Sequence, residues 1–218
     1  MKTIRLFFFA AAMSVSAALS AQTYEVGDYY PDPDVNVDDA SAAAKVEGIV
    51  FEVSEDGKHG KIFSLKEGSG LKWSEIGGAD YTDDENDGQM NYDIIKVLEP
   101  EFNGYPAFQW AASLGEGWYL PAINELVVLR EAWGTTNAKR KALNKKIEAV
   151  GGTPLSNSVY VSSKGANTSA VYYSSTENPQ KRNKIMSLSF NSFSDPADGV
   201  KKLSDSAENL LFRAVKTF

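Results

Sequence analysis

The sequence has 218 residues, with 22 Lys and Arg against 29 Asp and Glu, a net charge of −7, one His and no Cys. The lack of Cys excludes disulfides, thiol catalysis and iron–sulfur ligation, and a lone His59 excludes a zinc site built on several His and Cys ligands. The acidic balance, concentrated in 32–39 and 80–87, argues against nucleic acid or an anionic membrane as partner.

In chain order, Met1-Lys2-Thr3-Ile4-Arg5 is a short basic region, residues 6–19 are an apolar run, and Ser20 and Ala21 are small. This is the pattern of a secretory signal peptide over 1–21, too short for a membrane span. The expected location is therefore exported: periplasm, outer surface or extracellular, with no integral membrane segment after cleavage. Residues 22–44 form a polar leader in which Tyr24, Tyr29 and Tyr30 alternate with Gly, Asp and Pro, read either as poorly ordered or as an edge-packed arm. Residues 45–218 have the length of a single domain.

Residues 45–53 and 61–65 read as a hairpin whose turn, Ser54 to Gly60, invites a bulge at Gly57 or Gly60. Residues 71–73 suggest a third extended piece. The Gly-, Asp- and Asn-rich stretch 76–91 reads as a loop, followed by a helix from Asn91 to Leu98. Helices are also expected from Pro106, from Pro121 to Trp133, and from Asn137 to Val150 ahead of Gly151-Gly152. Strands follow at 171–175, 184–190 and 211–216, the last as one half-buried strand, with a turn over 194–199. Strands, then helices, then strands describe an α+β domain, and the last strand is expected to pair with the early hairpin.

The most informative segment is Gly117-Trp118-Tyr119-Leu120-Pro121-Ala122-Ile123-Asn124-Glu125-Leu126, which predicts a rigid strand-to-helix corner. It resembles the W-[RY]-L-P-x-x-x-E-L signature of the DUF1566 family. Tyr172-Tyr173-Ser174-Ser175-Thr176-Glu177 is similar to that family's Y-W-S-S-T-E segment, and Leu211-Phe212-Arg213-Ala214-Val215 to its closing V-R-A-V strand. Gly48-Ile49-Val50-Phe51 with Gly57-Lys58-His59-Gly60 resembles the opening hairpin of secreted Bacteroidetes members. The resemblance implies a C-type-lectin-like fold, related to that of the formylglycine-generating enzyme. Helices would pack on small antiparallel sheets, with N- and C-terminal strands adjacent. The enzyme's Cys-dependent activity does not carry over to a chain without Cys.

The candidate site is the corner itself: Trp118, Tyr119, Asn124, Glu125, Tyr173, Glu177 and Arg213. Glu125 lies in a first helical turn, where a carboxylate interacts favourably with the helix N-terminus. A buried Arg213 in an apolar strand requires a carboxylate partner, expected to be Glu125 or Glu177. Two close carboxylates could serve as general acid and base. Trp110, Trp118, Tyr119, Tyr172 and Tyr173 could either stack on a sugar or simply fill the core. Alternation places Tyr172 and Tyr173 on opposite strand faces. Asp83, Glu85 and Asp87 are weak Ca²⁺ candidates, since the twelfth position of a calcium loop counted from Asp83 is Ile94 rather than Glu. No other cofactor is expected.

With no nucleophile motif and no phosphate loop, the residue inventory favours a non-enzyme. The primary reading is an exported, non-catalytic binding or surface-structural module for a glycan or a cell-surface protein. The alternatives are a carboxylate-dependent glycan hydrolase using Glu125 and Glu177, or a fimbria- or adhesin-associated subunit.

Overall fold

The computed structural model describes residues 22–77, 79–156, 158–161, 166–190, 197–201 and 210–218, so the expected signal peptide 1–21 lies outside the described residues. Strands β1 (Tyr29–Tyr30), β2 (Gly48–Val53) and β3 (Gly60–Ser64) are joined by the C-terminal β11 (Val215–Thr217) in a four-stranded antiparallel sheet, order β1-β2-β3-β11. Between β1 and β2 lies the one-turn helix α1 (Ala40–Ala43). The last strand thus pairs with the early hairpin, as the sequence suggests. The register shift falls between Val50 and Glu52 rather than at the turn glycines. The turn needs no bulge because Asp56 Oδ1 accepts hydrogen bonds from the Ser54 hydroxyl and the Lys58 amide.

The second sheet contains β4 (Gly68–Ser69), β7 (Val171–Glu177), β8 (Lys184–Ser189), β9 (Ala197–Lys201) and β10 (Leu210–Phe212), in the order β4-β10-β7-β8-β9. It is mixed, because β10 runs parallel to β7. A separate hairpin pairs β5 (Ser158–Val161) with β6 (Ala166–Ser169). Two expectations change here. The early extended piece is 68–69, not 71–73, because Gly68 and Ser69 pair with Phe212 and Leu211. Of the expected turn 194–199, residues 194–196 lie outside the described residues, while Ala197 onward pairs with β8.

The expected single strand 211–216 is two strands in two sheets. Leu210 to Phe212 belong to the second sheet and Val215 to Thr217 to the first, and the chain crosses between them at Arg213 and Ala214. Nor is it half-buried: Leu211 and Val215 lie in one apolar cluster while Leu210, Phe212 and Ala214 lie in the other. Alternation fails as a sign of a solvent face when both faces are covered. The hairpin divides in the same way. Ile49, Phe51 and Phe63 face the cluster under α4 (Ile123–Trp133) and α5 (Asn137–Ala149), while Val50 and Ile62 face α2 (Gly88–Leu98) and α3 (Pro106–Ala112). Tyr172 and Tyr173 separate as predicted, one to each cluster.

Helix boundaries follow their caps. The helix expected from Asn91 begins at Gly88, because the Asp87 carboxylate accepts the Met90 N–H and fixes the first turn. The helix expected from Pro121 begins at Ile123. Pro121 stays outside because its carbonyl accepts the Ser175 N–H from β7 at 2.7 Å. Residues 22–44 run along the first sheet. Tyr24 packs edge-on against Phe218 at 4.9 Å between ring centroids, and the Tyr24 amide donates to the Gly57 carbonyl.

Candidate functional site

Trp118, Tyr119 and Leu120 enter the corner beside β11, with Tyr119 and Val215 exchanging backbone hydrogen bonds. The chain then turns into α4, whose N-cap, Ala122, has no side-chain acceptor. Three amides at this end find partners elsewhere. The Glu125 carboxylate accepts the Ala122 N–H at 2.7 Å, the Thr176 hydroxyl of β7 accepts the Ile123 N–H at 3.0 Å, and the Glu85 carbonyl accepts the Asn124 N–H at 2.9 Å. These bonds tie the helix N-terminus to β7 and to the 84–87 loop and spend three amides that an anion would otherwise meet.

Glu125 is buried and holds four partners. Its Oε2 accepts the amides of Ala122 and Gly88, the second at 3.1 Å. Its Oε1 accepts the Tyr119 hydroxyl at 3.0 Å and pairs with Lys61 Nζ at 3.0 Å. One carboxylate therefore joins the start of α2, the start of α4, β3 and the corner strand. Burial raises the Tyr119 pKa, and the Glu125 charge adds to it. Burial opposes the charge on Lys61, but Glu125 and Glu52 outweigh it, so the ammonium is stabilised.

Glu177 is fully buried at the end of β7 and organises a different loop. Its two oxygens accept the amides of Asp80 and Tyr81 at 3.1 and 2.9 Å, and Arg182 Nη1 reaches Oε2 at 3.0 Å. Arg182 also pairs with Asp83 at 2.7 Å and lies over the Tyr81 ring at 5.1 Å. Glu125 and Glu177 thus hold separate sets of backbone amides and separate cations, with none of these partners in common.

Arg213 is fully buried, but its carboxylate is Glu67 at 2.7 Å, not Glu125 or Glu177 as expected. The reason is the crossover. Leaving the second sheet directs the guanidinium toward the chain that joins β3 to β4, where it also donates to the carbonyls of Ser64 and Leu65. The Tyr172 hydroxyl donates to the same Glu67 oxygen at 2.7 Å. The corner meets the Ser174–Glu177 strand through the Pro121–Ser175 and Ile123–Thr176 hydrogen bonds. Arg213 forms a second anchor.

The aromatic residues sit inside. Trp118, Tyr119, Tyr172 and Tyr173 are buried and Trp110 is half-buried over Gly68. Burial pushes the Tyr173 phenol up to about 12. Trp118, 6% exposed, borders a surface depression of about 370 Å³, and Lys216 lies above its ring at 6.0 Å. Asn124 is exposed and clips to Asn86 Oδ1 at 2.8 Å. The weak Ca²⁺ candidates diverge, Asp83 toward Arg182 and Asp87 toward the α2 amides. Glu85 contributes its carbonyl to Asn124. Among the described residues no group of three or more His, Asp or Glu side chains is arranged to hold a metal ion.

Two features escaped the sequence reading. Asn91 is fully buried and makes a two-way bond with the Asp84 backbone while donating to Ser175 Oγ at 3.0 Å. Its sequence signal is a carboxamide in the buried stripe Gly88, Asn91, Ile95. The second is an open apolar groove of about 720 Å³ on the outer face of α2, lined by Tyr81, Met90, Ile94, Val97 and Leu98 with Asp80, Asp87 and Asp93. Met90, Ile94, Val97 and Leu98 recur at i, i+4, i+7 and i+8, an apolar stripe on a helix that buries a different face.

No protein-family model matches the sequence, and no curated protein matches it. The DUF1566 resemblance therefore finds no family match to support it. The fold is similar to the crystal structure of a fimbrial protein from Bacteroides ovatus ATCC 8483, determined at 1.85 Å, with a TM-score of 0.62 and 17% sequence identity. The likeness covers 89% of this chain and 49% of that chain, so the protein spans about half the length of the fimbrial protein it matches. At this identity the likeness is one of fold. Among the described residues no helix is long and apolar enough to cross a membrane.

Proposed function

We propose that the protein is an exported, non-catalytic structural module of a fimbria- or adhesin-type surface assembly, acting through contacts with other surface proteins. The observation that carries this reading is the fold shared with the Bacteroides ovatus fimbrial protein over 89% of the chain. The buried corner supports it by its chemistry. Glu125 and Glu177 use their oxygens on backbone amides and cations, whereas an acid–base pair must present one carboxyl group to a substrate and the other to a water or a reacting carbon. A sugar-stacking platform must expose aromatic faces, and here they pack the core. A crossing strand tied by Arg213 and Glu67 fits a module that has to stay folded outside the cell without disulfides.

The test is location and association in the source bacterium. An epitope-tagged chromosomal copy is expected to be cut by protease on intact cells and to be released with surface appendages by mechanical shearing. Retention in the soluble cell interior, with no tag in the sheared fraction, refutes the reading.

A further inference from the structure

We infer that the groove along α2 is a docking site for an amphipathic helix of a partner protein, with adjacent large apolar side chains flanked by Lys or Arg. A folded protein places single large apolar side chains on its surface without consequence, whereas a contiguous group marks an interaction surface. Here Val97 is 82% exposed, Tyr81 65%, Leu98 54% and Met90 53%, and all four line the same groove. Ile94 forms its half-buried floor. Met90 to Leu98 spans roughly 12 Å of helix, enough to receive about two turns of a second one.

The charge of the lip selects the occupant. Asp87 and Asp93 are exposed lining residues and Asp80 lies deeper, while Lys96, in the last turn of α2, does not line the groove. The neighbouring cation, Arg182, pairs with Glu177 and Asp83 and lays its face on Tyr81, so it rigidifies one wall while its charge is matched. Basic flanks on the incoming helix would meet this lip and apolar residues would fill the floor.

A second copy of the chain fits poorly. A symmetric pairing of two α2 faces brings the acidic lips together. A head-to-tail pairing needs a second apolar cluster, but the other large exposed apolar side chains among the described residues are Val26, on the N-terminal arm, and Ile76, beside Gly104. The basic helix α5 exposes Lys139, Lys141 and Lys145 without a large apolar anchor. The inference is independent of the surface-assembly reading: the groove can bind or fail to bind whatever assembly the module belongs to.

The experiment is a titration of ¹⁵N-labelled protein with three short synthetic helices: Leu/Lys, the same with Glu for Lys, and the same with Ser for Leu. The Leu/Lys peptide is expected to give saturable amide shifts at Tyr81, Met90, Ile94, Val97 and Leu98, while the other two give none. A Met90→Gln/Val97→Gln variant should bind at least about tenfold more weakly, as loss of central apolar anchors does, with an unchanged melting curve. Unsaturable shifts spread over 32–39 would overturn the proposal, as would equal binding by the variant. Concentration-dependent α2 shifts without peptide would assign the groove to a second copy instead.

Discussion

The corner and the α2 groove lie on either side of the same loop and use opposite chemistry. In the corner, charged and aromatic groups with the look of a binding site are buried and turned inward: Glu125 holds four partners, Glu177 caps a loop, and the phenols sit in the core. In the groove, ordinary aliphatic residues face solvent. Polar residue types therefore do not by themselves mark function, because buried polar groups must be paired and are commonly paired for structural ends. An unburied apolar stripe on an already packed helix is the less conspicuous but more informative departure.

That contrast can be broken at several points. The largest expected effect is loss of the fold in alkali. The pKa values of Tyr119, Tyr172 and Tyr173 are raised by burial above the ordinary 10.0. Because the folded value exceeds the unfolded one, their contribution is complete below pH about 10 and is lost as pH rises toward the folded values. Urea unfolding measured from pH 8 upward should show constant stability and then a steep fall above pH about 10. The assigned ring resonances of Tyr119, Tyr172 and Tyr173 should shift only together with unfolding, and their ionisation in the folded protein would show that they are not sealed.

Arg213→Ala comes next. It leaves Glu67 and two carbonyls without their cation, and breaking a buried pair in this way costs about 3–5 kcal/mol. Glu125→Ala strands the amides of Gly88 and Ala122 and should cost about 2–3 kcal/mol, less than Arg213→Ala because Lys61 is partly exposed and can rehydrate. Both are read from urea midpoints; wild-type stability of the Arg213 variant would refute the second anchor, and wild-type stability of the Glu125 variant would return the corner to the candidate ligand sites. Gly88→Ala probes how closely α2 approaches the corner. An added Cβ would lie 2.5 Å from the Leu120 carbonyl and 2.6 Å from the Ala122 amide and Glu125 Oε2. The expected loss is about 1–3 kcal/mol, measured by thermal melting. The smallest effect is at the groove. Val97→Gln should change stability by less than about 0.5 kcal/mol, since the residue is 82% exposed, and a larger loss would mean that Val97 packs in the folded chain.

Much of the architecture was legible along the chain. Pro106, the Asn137 to Val150 stripe and the Gly151-Gly152 stop locate α3 and α5, because each signal is local and steric. Period-two alternation separates Tyr172 from Tyr173 correctly, since neighbouring side chains on a strand must point apart. The start of α2 was less accessible. Asp87 sits in a run of polar residues, any of which could cap a helix, and the choice among them depends on which amide it meets in space.

The sequence by itself determined an α+β chain with a Pro-entered helix, a closing strand that returns to the first hairpin, and a buried Arg that must have a carboxylate. Hydrophobic period, backbone sterics and the cost of burying an unpaired charge all act on residue identity alone. Only the tertiary structure decided which carboxylate that Arg meets, that the closing segment is two strands in two sheets, and that Glu125 and Glu177 serve separate loops. It also decided that α2 buries Gly88, Asn91 and Ile95 and leaves Met90, Val97 and Leu98 exposed. Each of these is a choice among chemically equivalent partners, and the chain makes that choice through long-range packing.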